Sequence, residues 1–335
     1  MITIRDVSEF AGVSPATVSR VINGTTRVSH QKKLKVENAI AQLGYRPNTI
    51  AKALASSKTG SIGIVVPEVG SSFYSGILQC IEEQLRKVGY HIIVTTGSEF
   101  GGEQRDAIEF LLGRRVDALV LHTQEVSDDY LIQLSEQGIP LVLLNRTIPE
   151  IEDCCIDIDN EAGGRRATKF LLDNGHTSIA CITGPLSKAD ARGRLQGYRH
   201  ALEEAGIPYR DSLVIEAGFT EETGATAVQK LMKRNVQFSA IFACNDHMAF
   251  GVFEALSQQG VGVPEHCSLV GFDNVIFARY ITPALTTIDF PIEQMSMEAV
   301  ELLVHKLNKK KTDVNFKLTP SLVIRNSVKN VMNSL

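Results

Sequence analysis

The sequence predicts an α/β protein: a small N-terminal all-α helix-turn-helix head followed by two doubly wound α/β lobes. Three observations predict it. The first sixty residues carry helix caps and helical spacing. From residue 61 on, apolar strand-like segments alternate with helical ones, and that alternation restarts near residue 155. A length of 335 residues suits two or three domains.

In the head, Thr3-Ile4-Arg5-Asp6 has the spacing of a capping box. The helix it opens runs roughly from Ile4 to Phe10 and stops at Ala11-Gly12-Val13. Ser14 then offers an oxygen to free backbone N–H groups, and Pro15 suits a first helical position because its missing N–H costs nothing there. This second helix runs to about Ile22. A third begins after Ser29, carries Val36, Ile40 and Leu43 on one face, and stops at Gly44. Two short helices joined by a glycine turn, with a third packed on them, have helix-turn-helix geometry. The segment 46–58, RPNTIAKALASSK, keeps helical spacing but has too few apolar residues to hold a helix alone.

The body begins with the strand SIGIVVP and a helix from Tyr74 to Val88. The strand YHIIVTT, the helix EQRDAIEFLLGRR and the strands DALVLHT and PLVLLN follow. The second run is CCIDID, a helix from Glu161 to Asp173, SIACITG, a helix around 194–204, SLVIEA, a helix near 222–233, AIFACN, a helix from Met248 to Gln258, and SLVGFD. Such alternation means parallel sheets covered by helices, and ligands bind outside the carboxyl ends of their strands. Two facing lobes would hold one ligand in the cleft between them. The strand ends carry Asn145, Asn245 and Asp273. The segment after SIACITG carries Lys188, Asp190, Arg192 and Arg194, and the loops after SIGIVVP and SLVIEA carry Phe73, Tyr74 and Phe219. Asp and Asn can take vicinal hydroxyls, a guanidinium offers a fork of donors, and aromatic rings can cover the apolar face of a sugar.

Charge separates the two parts. Residues 1–60 hold nine Lys/Arg against three Asp/Glu, whereas the remainder holds 25 against 35, giving −4 for the chain. A basic head on an acidic body is the footprint of a nucleic-acid-binding module joined to something else. No run of 18 apolar residues predicts a membrane span, and the N-terminus lacks a signal-peptide pattern, so the expected location is the cytoplasm. The six cysteines and eight histidines are scattered without ligand spacing, so no metal site is expected. No phosphate-binding glycine loop, dinucleotide fingerprint or nucleophile elbow is present, which argues against an enzyme and leaves no catalytic residue or cofactor to name.

IRDVSEFAGVSPATVSRVINGTTRVS, followed by GYRPNTIAKALASSKTGSIGIVVP, resembles the head and hinge of the LacI/GalR family of transcriptional regulators, and the likeness spans essentially the whole chain. It implies a DNA-binding domain over 1–45, a hinge over 46–59, and an effector-binding and dimerisation core of periplasmic-binding-protein-like type over 60–335. Lobe 1 would comprise about 60–159 and 290–318, and lobe 2 about 160–289 and 319–328. By the same resemblance Pro15, Ala16 and Arg20 face the bases, Thr17, Ser19 and Asn23 anchor phosphates, and Thr3 joins the DNA-contacting set. Asn48, Ala51 and Lys52 would line the minor groove or reach phosphates, with Leu54 as an apolar wedge in that groove. Arg194, Asn245, Asp273, Asn145 and Asp190 would bind the effector within an aromatic wall of Phe73, Tyr74 and Phe219.

LVLLNRTIPE, DARGRLQGY, ARYITPALTTIDFPI and LTPSLVIRNSV most resemble the galactose repressor branch, and ARYITPALTTI is also similar to the purine repressor. The expected function is repression at double-stranded operator DNA, controlled by galactose, a galactoside or a related hexoside. A purine or phosphosugar effector is the alternative, and an enzyme acting on sugars is disfavoured. The tail after SLVIRNSV is too short for a multi-heptad coiled coil, so a homodimer without a membrane partner is expected.

Overall fold

The computed structural model describes residues 2–23, 28–46, 58–97, 102–310 and 316–332. Asn48, Ala51, Lys52 and Leu54 lie outside the described residues, and so does the side chain of Asn23. The chain divides into two units, 1–60 and 61–335.

In the first unit α1 spans Ile4–Ala11, α2 Pro15–Asn23 and α3 His30–Leu43. The capping box forms as spaced: Thr3 N donates to Asp6 Oδ2 at 2.7 Å, and Thr3 Oγ1 accepts from Asp6 N at 3.4 Å. Those hydrogen bonds to Thr3 hold the exposed Asp6 carboxyl below its usual range. Gly12 ends α1 at φ 62°, a left-handed conformation that glycine adopts without a Cβ clash. Ser14 Oγ accepts from Thr17 N at 3.2 Å and so caps α2. Val7, Ala11, Val18, Val36, Ala39 and Tyr45 form the buried core of this unit. Ile40 and Leu43 pack at its edge.

The second unit contains two six-stranded sheets. The first has the order β11-β5-β4-β3-β1-β2, from β1 (Ser61–Val66), β2 (His91–Thr96), β3 (Ala118–Leu121), β4 (Leu141–Leu144), β5 (Cys155–Ile158) and β11 (Phe316–Leu318), all parallel. The second has the order β12-β10-β9-β8-β6-β7, from β6 (Ile179–Thr183), β7 (Val214–Glu216), β8 (Ala240–Ala243), β9 (Ser268–Asp273), β10 (Thr286–Asp289) and β12 (Ser321–Val323). Among the described residues of this sheet only β12 runs antiparallel, against β10. The central strands are buried on both faces, which is why they read as unbroken apolar runs.

The helices of this unit are α4 (Ser72–Lys87), α5 (Glu103–Gly113), α6 (Asp128–Glu136), α7 (Asn160–Asp173), α8 (Ala189–Glu204), α9 (Glu221–Lys233), α10 (Asp246–Gln258) and α11 (Ile292–Leu307). The chain leaves the first sheet after β5, returns to it after β10 through α11, and crosses again between β11 and β12. Two sequence expectations are corrected. Phe73 lies in the first turn of α4, ahead of the expected start at Tyr74, because Ser71 Oγ accepts from Phe73 N at 3.2 Å and starts the helix early. Likewise α8 begins at Ala189, so Asp190, Arg192 and Arg194 lie on its first two turns.

Helices α7 and α8 approach closely where Gly164 meets the backbone of Arg194. A Cβ on Gly164 would overlap the Arg194 carbonyl oxygen, a backbone atom that cannot swing aside. Gly164→Ala is therefore expected to push α8 outward and lower stability by about 1–3 kcal/mol. Urea unfolding of the full chain measures this, and an unchanged midpoint would contradict it.

Candidate functional site

On α2, Pro15, Ala16 and Arg20 are exposed and Thr17 and Ser19 are half-buried, while Val18 turns into the head's core. Ala16 and Arg20 are four residues apart and share one helix face. Two of the expected DNA-contacting groups already have local partners: Thr17 Oγ1 lies 3.0 Å from Ser14 Oγ, and Thr3 is engaged with Asp6. Arg20 is thus the long cationic side chain on the outer face of the second helix, the element that enters the major groove in helix-turn-helix proteins.

In the second unit a cavity of about 470 Å³ opens at the carboxyl ends of both sheets. Phe73, Tyr74, Asn145, Asp190, Arg194, Phe219, Asn245 and Asp273, all eight expected ligand-side residues, line it. Arg192 does not. Its guanidinium turns back onto the Leu186 and Ser187 carbonyls.

Arg194 organises the floor. It is buried, with Nε donating to Asn160 Oδ1 at 2.9 Å and Nη1 to the Cys244 carbonyl at 2.5 Å. Its guanidinium carbon lies over the Phe272 ring, 3.7 Å from the centroid. Asp273 Oδ1 lies 3.5 Å from Arg194 Nη1, outside hydrogen-bond geometry, and has no hydrogen-bond donor among the described residues. Burial pushes the Asp273 carboxyl up to about 7, against the opposing pull of Arg194 and His247. Asp246, buried beneath it, is raised by burial and by Asp273, although its oxygens accept from Thr287 Oγ1 at 2.6 Å and Val275 N at 2.9 Å.

Contacts cross the cleft. Asn145 Nδ2 donates to Asp190 Oδ2 at 3.3 Å, and Asn145 Oδ1 accepts from Asn160 at 3.2 Å. At the mouth, His247 Nε2 lies 3.1 Å from Ser72 Oγ and Nδ1 lies 2.6 Å from Glu221 Oε1. Asn245 caps α10 through Met248 N and donates to the Phe219 carbonyl at 2.9 Å. Phe219 is bulky yet sits at φ 66°, and Asn145 and Asp273 also have positive φ. Such conformations concentrate at functional sites because the surrounding structure must hold them. Gly184 makes room for Phe219, since a Cβ there would overlap the ring.

Sequence reading missed His122, Gln124 and His247, which also line the cavity. His122 ends the apolar run DALVLHT, and His247 lies inside a helical pattern, so neither carried a signal of its own. The buried charged groups lining the cavity are the cations Lys188 and Arg194 and the acids Asp190 and Asp273. Among the described residues no three His, Cys, Asp or Glu side chains are placed to hold a metal ion, and no helix is long and apolar enough to cross a membrane.

Residues 3–48 match the family model for bacterial regulatory proteins of the lacI family. Residues 59–326 match that for periplasmic binding proteins and the sugar binding domain of the LacI family. Over 329 residues the chain is 39% identical to the HTH-type transcriptional regulator GalR of Escherichia coli K12, covering 98% of this chain and 96% of that protein. It is 35% identical over 334 residues to the HTH-type transcriptional repressor PurR of Vibrio vulnificus, covering 99% and 100%. Among solved structures, a Lac repressor dimer bound to operator and the anti-inducer ONPF superposes with a TM-score of 0.88 at 28% identity, covering 98% of this chain and 99% of that one.

Proposed function

The chain belongs to the LacI family of bacterial regulatory proteins, and we propose that it is a cytoplasmic homodimeric repressor whose operator affinity is set by galactose, a galactoside or a related hexoside. It is a DNA-binding transcriptional regulator with a sugar-binding domain, and its relatives are regulators rather than enzymes. In this reading 1–45 is the DNA-binding head, 46–59 the hinge and 60–335 the effector-binding core. Arg20, Ala16 and Pro15 read bases, Thr17, Ser19 and Asn23 anchor phosphates, Thr3 also contacts DNA, Asn48, Ala51 and Lys52 line the minor groove or reach phosphates, and Leu54 opens that groove. Phe73, Tyr74, Asn145, Asp190, Arg194, Phe219, Asn245 and Asp273 hold the sugar.

The observation that carries the ligand class is the balance of charge in the cleft. Buried cations and buried acids share the lining with neutral amides and aromatic rings, and the acids Asp190 and Asp273 lie beside the cations rather than leaving a bare cationic pocket. That environment favours a neutral ligand rich in hydroxyls over a phosphorylated one, which would meet Asp190 and Asp273. The homodimer places two heads on half-sites related by two-fold symmetry, so its operator is near-palindromic. A sugar that binds better to the lobe orientation with separated hinges weakens DNA binding, and by linkage DNA weakens sugar binding equally.

The test is anisotropy of the intact chain on a palindromic operator from its own upstream region, at fixed salt, titrated with galactose, galactosides, purines and phosphosugars. Release by a neutral sugar is expected. Release only by a purine or phosphosugar would overturn the ligand class, and equal sugar affinity with and without operator would overturn the coupling. Arg20→Ala is expected to weaken operator binding by about tenfold and to relax preference at a single base pair.

A further inference from the structure

We propose that the hydrogen bond between Ser72 and His247 bolts the two halves of the second unit together across the cavity mouth, and that this bolt limits the ligand by size. A free hexose fits behind it, whereas a hexoside with a bulky substituent must hold it open. The inference rests on the sugar reading of the cleft. Exposure separates the mouth of the cavity from its floor. Ser71, Glu221 and His247 line the cavity together with Arg194 and Asp273. The Glu221 and His247 side chains are 53% and 16% exposed, against 3% and 6% for Arg194 and Asp273.

The bolt joins elements from both halves. Ser72 is the first residue of α4, which packs on α11 in the half built on the first sheet. Glu221 and His247 stand in the first turns of α9 and α10 in the other half. Ser72 Oγ lies 3.1 Å from His247 Nε2, and Ser71 Oγ lies 3.4 Å from the same nitrogen. The platform beneath His247 is rigid. A Cβ on Gly224 of α9 would overlap the Met248 carbonyl oxygen, and one on Gly251 of α10 would overlap the Glu221 carbonyl oxygen. The two helices therefore pack backbone to backbone, which keeps Glu221 Oε1 2.6 Å from His247 Nδ1. The Phe250 ring, edge-on at 6.0 Å, backs the imidazole.

Burial opposes ionisation of Glu221, yet the hydrogen bond from His247 holds its carboxyl below the usual range. A carboxylate only accepts, so Nδ1 is the donor in that bond and the ring orientation is fixed. Nε2 is left for the serine. A neutral ring accepts the Ser72 hydroxyl proton, and a doubly protonated ring donates to the same oxygen, so the bolt holds in either state. Deeper in the cleft Asn145 Nδ2 donates to Asp190 Oδ2, so the halves are tied at two depths. The outer tie is the one that a protruding group meets. A ligand that fits behind it breaks the bolt only in passing, which slows entry and exit equally and leaves affinity unchanged. A ligand that keeps it open loses the worth of the bond, about two- to tenfold in affinity.

The experiment is calorimetric titration of the full chain with D-galactose and with galactosides that carry a bulky aromatic group at C1, in either anomeric form, or at C6, for wild type, Ser72→Ala and His247→Ala. At least one substituted sugar should bind wild type more weakly than galactose. Ser72→Ala should keep galactose within about twofold of wild type and improve that substituted sugar by about two- to tenfold. His247→Ala should shift the ratio of the two sugars in the same direction. Spin labels on Glu136 of α6 and Glu203 of α8, in chain diluted with unlabelled protein, read the bolt without any ligand. Both variants should broaden the distance distribution between the halves. If galactose and every substituted sugar keep their wild-type ratio in Ser72→Ala, the bolt sets no size limit and the inference falls alone. Unchanged distances in both variants would overturn the bolt itself. If wild type binds none of the sugars, the galactose reading fails and takes the size limit with it.

Discussion

Arg194→Ala is expected to abolish the response to the proposed sugar effector and to destabilise the second unit. The guanidinium meets four features at once: the Asn160 side chain at 2.9 Å, the Cys244 carbonyl at 2.5 Å, Asp273 at 3.5 Å and the Phe272 ring at 3.7 Å. Alanine removes all of them and leaves a cavity beside a buried carboxyl. Truncating one member of a buried charged pair typically costs about 3–5 kcal/mol, because the other member stays desolvated. Asn160 and Cys244 also lose their donor, and Asn160 is the residue that holds Asn145 on the opposite wall. Galactose affinity should therefore fall by more than about a hundredfold, beyond the loss of one charged hydrogen bond. Arg194→Lys keeps the charge but not the planar fork, so it should lie between wild type and alanine in both properties. Urea unfolding and calorimetric titration check the two effects separately. An alanine variant with wild-type midpoint and wild-type affinity would show that the floor is built some other way.

The parts of this protein that local chemistry dictates were legible in the sequence. Gly12, Ser14 and Pro15 set the turn and start of the second helix through backbone conformation and capping, which need only neighbouring residues. Buried parallel strands such as Leu141–Leu144 show as apolar runs because both faces are covered. Asn145, Asn245 and Asp273 could be placed in the cleft because the carboxyl ends of parallel strands face it. What was not legible depends on residues far apart in the chain. His247 meets Ser72 from 175 positions away. The early start of α8 was missed because Gly193 and Gly197 weaken the helical pattern, yet small residues are what permit α7 and α8 to approach closely.

Asp273 gives the effector-binding unit a pH dependence of defined sign. In the unfolded chain its carboxyl titrates near 3.8, and in the fold burial raises it to about 7. Between those values the folded state keeps a proton that the unfolded state has lost. Stability from this group therefore falls as pH rises through that window and levels off above 7, by a total of about 4 kcal/mol. Asp246, raised in the same direction, adds to the same slope. Ligand binding has the opposite sign. Sugar hydroxyls that donate to Asp273 favour the ionised carboxylate, so galactose affinity should rise with pH, by up to about tenfold per unit below 7, and then flatten. His122, neutral above about 4, adds no slope in that range. Asp273→Asn removes the titrating group while keeping its shape. It should raise stability at pH 8, weaken galactose binding and make the remaining affinity nearly independent of pH. Under the proposed sugar reading, ligand hydroxyls would offset the cost of holding a desolvated carboxylate at the cleft floor. Unfolding and titration across pH 5–8 test both slopes, and a wild-type pH profile in the asparagine variant would assign the proton to another group.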